Sequence, residues 1–189
     1  MIKTALRSIL AFGLLAGSAF AADTYGIDHD HSNFLFKINH LGVSNTIGRF
    51  DEFSGTFSLD TKEPGKSALS LTIQTASVDS NVKKRDDHLR SPDFFDATTF
   101  PTMTFVGTTF KKVSDTVFEV TGNFTLHGVT RPLTLTVTKV GEGTDPWGGF
   151  RQGWSSSFTI KRSDYGMNFM PGGIGDEVTV MVEIEGIKK

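Results

Sequence analysis

The chain has 189 residues, a formal net charge of −2 and no cysteine. The length fits one domain, and the missing thiols exclude both a disulfide framework and a thiolate metal site. The weakly acidic balance excludes the basic footprint of a nucleic-acid binder or of a protein held electrostatically on anionic membranes.

At the N-terminus, Lys3 and Arg7 precede the apolar stretch from Ser8 to Gly17, and Ala19-Phe20-Ala21 has the small-x-small form of a cleavage site. This pattern predicts a cleavable export signal over residues 1–21, a cut after Ala21, and one domain over residues 22–189. Loss of Lys3 and Arg7 makes the net charge two units more negative. The apolar run is too short to span a bilayer, and no later stretch is long enough, so no stable membrane insertion is expected. The expected destination is the periplasm. The composition holds 17 Phe against 2 Tyr and 2 Trp, and rings without a polar handle suit a dry interior, either a core or a greasy cavity.

Period-two alternation then dominates. From Asn33 to His40 it puts Phe34, Phe36, Ile38 and His40 on one face. After a polar turn, Phe53, Gly55, Phe57 and Leu59 alternate with polar residues, and beyond Lys62–Lys66 so do Leu69, Leu71 and Ile73. The pattern returns at Met103 and Phe105, then at Phe118, Val120, Phe124 and Leu126. It continues at Leu133, Leu135 and Val137, at Trp154, Phe158 and Ile160, and at Val178 to Ile184. About eight strands joined by short turns predict an all-β, antiparallel up-and-down arrangement, closed as a barrel or folded as a sandwich.

Between Asp79 and Phe100 the alternation stops. Asp79 or Ser80 is expected to cap a short helix through Arg90, with a second helix start at Ser91-Pro92. This insert, around residues 80–96, would cover one barrel end. On the helix, Lys83 with Asp87 and Asp86 with Arg90 are i,i+4 neighbours, the pattern of a solvated face. The sharper reading gives Arg85, His88 and Arg90 to an anionic head group at a barrel mouth.

Few residues suggest reaction chemistry. Asp28-His29-Asp30-His31 offers metal-ligand types, but an extended chain splits the two His from the two Asp, and a polar strand start explains the residues without a metal. His40 reads as a hydrogen-bonded structural residue or as a polar contact for a ligand head. No nucleophile elbow occurs. The loops at Asp145–Gly149 and Met170–Gly173 read as tight turns at a rim.

Several motifs occur together: His31-Ser32 leading to His40-Leu41-Gly42, Gly48-x-Phe50, Phe53-x-Gly55-x-Phe57, Asp86-x-His88-Leu89-Arg90-Ser91, Phe100-Pro101, Leu126-x-Gly128-Val129-Thr130-x-Pro132 and Asp145-Pro146-Trp147-Gly148-Gly149. In this order they resemble the YceI-like family of periplasmic proteins over essentially the whole chain beyond the leader. The resemblance implies a lipocalin-like, eight-stranded barrel that carries a long-chain polyisoprenoid or related amphiphilic lipid, with no catalytic residues and no cofactor other than that lipid. It leaves monomer and dimer open.

On this reading Phe34, Phe36, Ile38, His40, Phe53, Phe57, Leu71, Ile73, Phe105, Phe124 and Phe158 line a tunnel, and Phe94 and Phe95 of the insert help close it. Two rivals are a His-dependent hydrolase or isomerase using His40 or His88 on a greasy substrate, and a stress-response interaction protein whose barrel its own side chains fill. An eight-stranded barrel has room for either a packed interior or one ligand.

Overall fold

The structure is a computed structural model that describes residues 23–189; the export signal expected over residues 1–21 lies outside the described residues. Eleven strand segments form one sheet: β1 (Tyr25–Ile27), β2 (Asn33–His40), β3 (Ser44–Phe50), β4 (Phe53–Ser58), β5 (Ala68–Gln74), β6 (Val78–Asp79), β7 (Thr102–Lys112), β8 (Val117–Leu126), β9 (Val129–Thr144), β10 (Phe150–Lys161) and β11 (Ile174–Lys188).

Each of the first three long strands is broken in the middle. A 3-10 turn over His29–His31 separates β1 from β2, Asp51-Glu52 separates β3 from β4, and a second 3-10 turn over Thr75–Ser77 separates β5 from β6. The last two breaks lie side by side, since Asp51 N donates to Ser77 O at 3.1 Å and Gln74 N to Glu52 O at 2.9 Å. Such interruptions let a twisted sheet bend.

Taken as pairs, the segments make an eight-stranded antiparallel barrel in which every strand neighbours the next in sequence. β11 closes it by pairing with β2 from Ile174↔His40 to Glu183↔Asn33 and then with β1 from Ile27↔Gly186 to Tyr25↔Lys188. Closure pairs both edges of the long strands and leaves the short β6, which pairs only with β3, with an open edge. The second strand starts at Ser44, earlier than the alternation from Phe53 indicated, because Asn45, Arg49 and Gly48 dilute the apolar signal of β3.

The inward face is apolar, with Phe34, Phe57, Leu71, Phe105, Phe118, Phe124 and Val182 buried. The outward face carries polar pairs such as Lys111–Glu119 (2.6 Å), Thr121–Thr134 (2.8 Å) and Thr125–Thr130 (2.8 Å). This is the reverse of a membrane-spanning barrel, whose outside is apolar and whose lumen is polar. Among the described residues no helix is long and apolar enough to cross a membrane.

The insert contains one helix, α1 (Lys83–Leu89), with Val82 at its N-cap. Asp79 and Ser80 do not cap it. Asp79 instead accepts from Asn81 N at 2.7 Å, and Ser80 gives its backbone N–H (2.8 Å) and its hydroxyl to the buried Asp86 carboxylate. Ser91-Pro92 starts no second helix. Bonds from Phe94 N to Ser91 O and from Phe95 N back to Leu89 O fold that stretch into successive turns.

Candidate functional site

The inward rings do not meet at the axis. Phe36 leans on Gly48, Phe57 on Gly186 and Phe105 on Gly122, and a Cβ added at these glycines would stand 2.3, 2.4 and 2.5 Å from the respective rings. Each glycine lies in the inward phase of its strand, so the wall has a niche where a side chain would stand. A ring lying back in that niche leaves the middle of the barrel empty.

The result is a cavity of about 600 Å³, within the range of small-molecule sites. Along β11 it is walled by Ile174, Val178, Val180, Val182 and Ile184, a run of strand about 30 Å long at ~3.3 Å per residue. It is therefore an elongated space, and the barrel is not filled by its own side chains.

Most of the sequence candidates stand on this wall: Phe34, Phe36, Ile38, His40, Phe57, Leu71, Ile73, Phe105, Phe124 and Phe158 from the strands, and Arg85, His88, Phe94 and Phe95 from the insert. Phe53 and Arg90 do not. The chain bends at Asp51-Glu52, which takes Phe53 out of the cavity; its ring packs on Phe34 at 4.6 Å and under the His29 imidazole at 4.9 Å. Arg90 turns toward the sheet edge, where Nε donates to Ala76 O at 2.6 Å and Nη2 to Val78 O at 2.8 Å.

The sequence reading missed several wall residues. Leu135, Val137 and Trp154 and the β11 valines share the inward phase of their strands, so alternation alone could have supplied them. Lys84 and Arg162 carry no such signal, since one lies on α1 and the other in the 3-10 turn after β10.

The insert forms one end of the cavity. His88 contacts both Phe94 and Phe169 edge-on at 5.0 Å, and its Nε2 lies 2.8 Å from Asp93 Oδ2. Arg85 donates to Ser80 Oγ (2.7 Å) and Ser80 O (2.6 Å), which ties α1 to the end of β6. Arg162, only 5% exposed, donates to the carbonyls of Gly175 (2.9 Å), Met167 (2.7 Å) and Ile174 (3.1 Å). Burial pulls its pKa below the ordinary arginine value, but guanidinium stays charged. The charged groups on the wall are thus Lys84, Arg85 and Arg162, and no Asp or Glu is among the lining residues.

At the far end a different polar cluster holds the first strand to the last. Arg151 donates to Asp28, to Asp145 at 2.7 Å and to Glu185 at 2.6 Å. His29–His31 is a 3-10 turn capped by Asp28, not the extended strand expected, and His31 Nδ1 lies 2.9 Å from Asp28 Oδ2. Ligand atoms of Asp28, His31 and Glu185 come within 4.8 Å of one another, and the guanidinium of Arg151 supplies the positive charge there.

Comparison with known proteins agrees with this architecture. The model of the YceI-like domain matches residues 25–186. A UPF0312 protein of Shewanella sp. (strain ANA-3) is 41% identical over 191 residues, covering 100% of both chains. The crystal structure of Burkholderia cenocepacia BcnA superposes with a TM-score of 0.77 at 25% identity, over 84% of this chain and 98% of that one. A polyisoprenoid binding domain from Saccharophagus degradans shares the fold, with a TM-score of 0.68 at 19% identity over 87% and 98% of the two chains. With the domain match running from the first strand to the last and a full-length relative at this identity, the chain belongs to the YceI-like family.

Proposed function

We propose that this protein is a periplasmic carrier that encloses a long-chain polyisoprenoid or related amphiphilic lipid in its barrel. The observation that carries this reading is the elongated apolar cavity kept open by rings seated on glycines. Each methylene moved from water into such a space contributes ~0.8 kcal/mol, so a few isoprene units supply ample affinity. The description of the Saccharophagus relative as polyisoprenoid binding is in keeping with that chemistry.

The polar part of the ligand lies at the insert end, where Lys84, Arg85 and Arg162 face no lining carboxylate. Three cations on a wall that itself carries no carboxylate favour an anionic or strongly accepting head group, which arginine pairs with readily. His40 and His88 serve here as polar lining, and we assign the protein no catalytic step.

Native mass spectrometry of protein exported by its own host, followed by organic extraction, tests the reading directly. The expected result is a bound isoprenoid or similar lipid, reduced about ten-fold in Phe158→Glu because a carboxylate on the wall must be desolvated by the incoming chain. Lipid-free protein from the native host, or a lipid content unmoved by that substitution, overturns it.

A further inference from the structure

Around the insert end of the cavity the surface is apolar in a way the fold does not require. Leu41 is 52% and Val43 84% exposed at the β2–β3 turn, Val82 begins α1, and Phe169 and Met170 project from the β10–β11 loop. Three elements are drawn into one collar. Leu41 N donates to Gly173 O at 2.8 Å, joining the hairpin tip to the loop, and Phe169 meets His88 and Phe94 edge-on, joining the loop to the insert. Val82, Phe169 and Met170 also line the cavity, so the collar is continuous with the interior.

Two collar residues occupy backbone positions that suit glycine or asparagine. Leu41 has φ 56° and Met170 φ 50°, and a bulky side chain in the left-handed region is held at a cost. The Leu41-Gly42 turn, with both φ values positive and Val43 N bonded to His40 O at 3.0 Å, is a place where Asn-Gly is the favoured pair. A leucine there projects into water and adds nothing to the core.

We infer that this collar docks the barrel mouth onto a lipid bilayer surface, so that the cargo passes between membrane and cavity without crossing water. The inference rests on the carrier reading. Apolar side chains at loop tips enter the headgroup boundary much as the apolar face of an interfacial helix does, and contiguous exposed apolar patches mark interaction surfaces. Lys84 and His88 line the same opening and the half-exposed Asp93 lies 2.8 Å from His88, so apolar contact, and not net charge, carries the docking. The opposite end ends in the Asp145–Gly149 turn, where Trp147 is 83% exposed and should stay in water when the mouth docks.

The test is flotation of the exported, purified protein with vesicles of phosphatidylethanolamine and phosphatidylglycerol. The wild type is expected to float with the vesicles, and Leu41→Asn/Val43→Ser to lose partition about ten-fold or more. Neither substituted residue lines the cavity, and asparagine suits the left-handed position, so folding and co-purified lipid should remain those of the wild type; Val43→Ser alone repeats the test if the double variant folds poorly. Acrylamide quenching of Trp147 should be unchanged by vesicles. Equal flotation of wild type and variant, no flotation of the wild type, or shielding of Trp147 overturns the inference. So does a wild-type dimer that the variant converts to monomer, which would make the collar a contact between copies. Absence of extractable lipid bears on the carrier reading alone, because flotation is read separately.

Discussion

Phe36 and Gly48 face each other across β2 and β3, and the ring lies in the space a side chain at position 48 would occupy, 2.3 Å from where its Cβ would stand. Gly48→Ala must therefore push Phe36 toward the barrel axis. Overpacking of this kind costs about 1–3 kcal/mol; here the empty cavity accepts the ring and the cost should sit at the lower end. Bound lipid should fall. Adding Phe36→Leu should restore both stability and lipid content, and a double-mutant cycle by urea unfolding and lipid extraction measures the coupling.

The Arg151 cluster predicts a pH signature. Arg151 and the backbone N–H groups of Trp147 and Gly149 hold the Asp145 carboxyl below its usual range. Burial alone would raise Asp28, but its bonds from His31 and Arg151 outweigh this and leave it lowered as well. A carboxylate lowered in the folded state adds stability that is present above its unfolded pKa and lost as pH falls through the folded value. Arg151→Gln should thus destabilise the protein clearly at pH 7 and less at a pH well below the ordinary carboxylate range, where the lowered carboxylates begin to take up protons. Urea unfolding at both pH values decides it; an equal loss at both would assign Arg151 a packing role only.

His31 works in the opposite sense. Asp28 raises its pKa, so its contribution is fully present below about pH 6.5 and fades as pH rises through the higher folded value. His31→Gln should accordingly cost more stability at pH 5.5 than at pH 8.5, read from thermal melting at the two pH values.

Asp86 fixes the insert over the cavity mouth. It is buried, accepts both the backbone N–H and the hydroxyl of Ser80, and Arg85 holds the same serine from the other side. Asp86→Ala should cost ~2–3 kcal/mol by orphaning these donors. Hydrogen exchange should rise first in α1, and bound lipid should exchange faster.

Lys84 tests the head-group assignment. Lys84→Glu places a carboxylate on a wall that has none. Affinity for an amphiphile with an anionic head should drop about ten-fold or more, while that for a neutral amphiphile of the same chain should hardly change. Equal effects on both would detach Lys84 from the polar end of the ligand.

Much of this was legible in the sequence. Alternation depends only on the two-residue repeat of an extended chain, so the inward Phe34, Phe36 and Ile38 and the eight-strand count follow from residue order. The position of a helical insert follows from the failure of alternation between Asp79 and Phe100. Tertiary structure decided the rest, because it depends on which strands become neighbours. Whether the phenylalanines filled the barrel or walled a cavity turned on glycines from other strands lying under them. Phe53 left the wall because the bend at Asp51-Glu52 redirects it, and Arg90 left because backbone carbonyls of Ala76 and Val78 lie within its reach. Arg162 joined the cavity, and Leu41 met the Phe169 loop, only once closure of the barrel set the β10–β11 connection beside the β2–β3 turn. Residue order fixes the direction in which a side chain points, whereas the room it finds there belongs to the closed sheet.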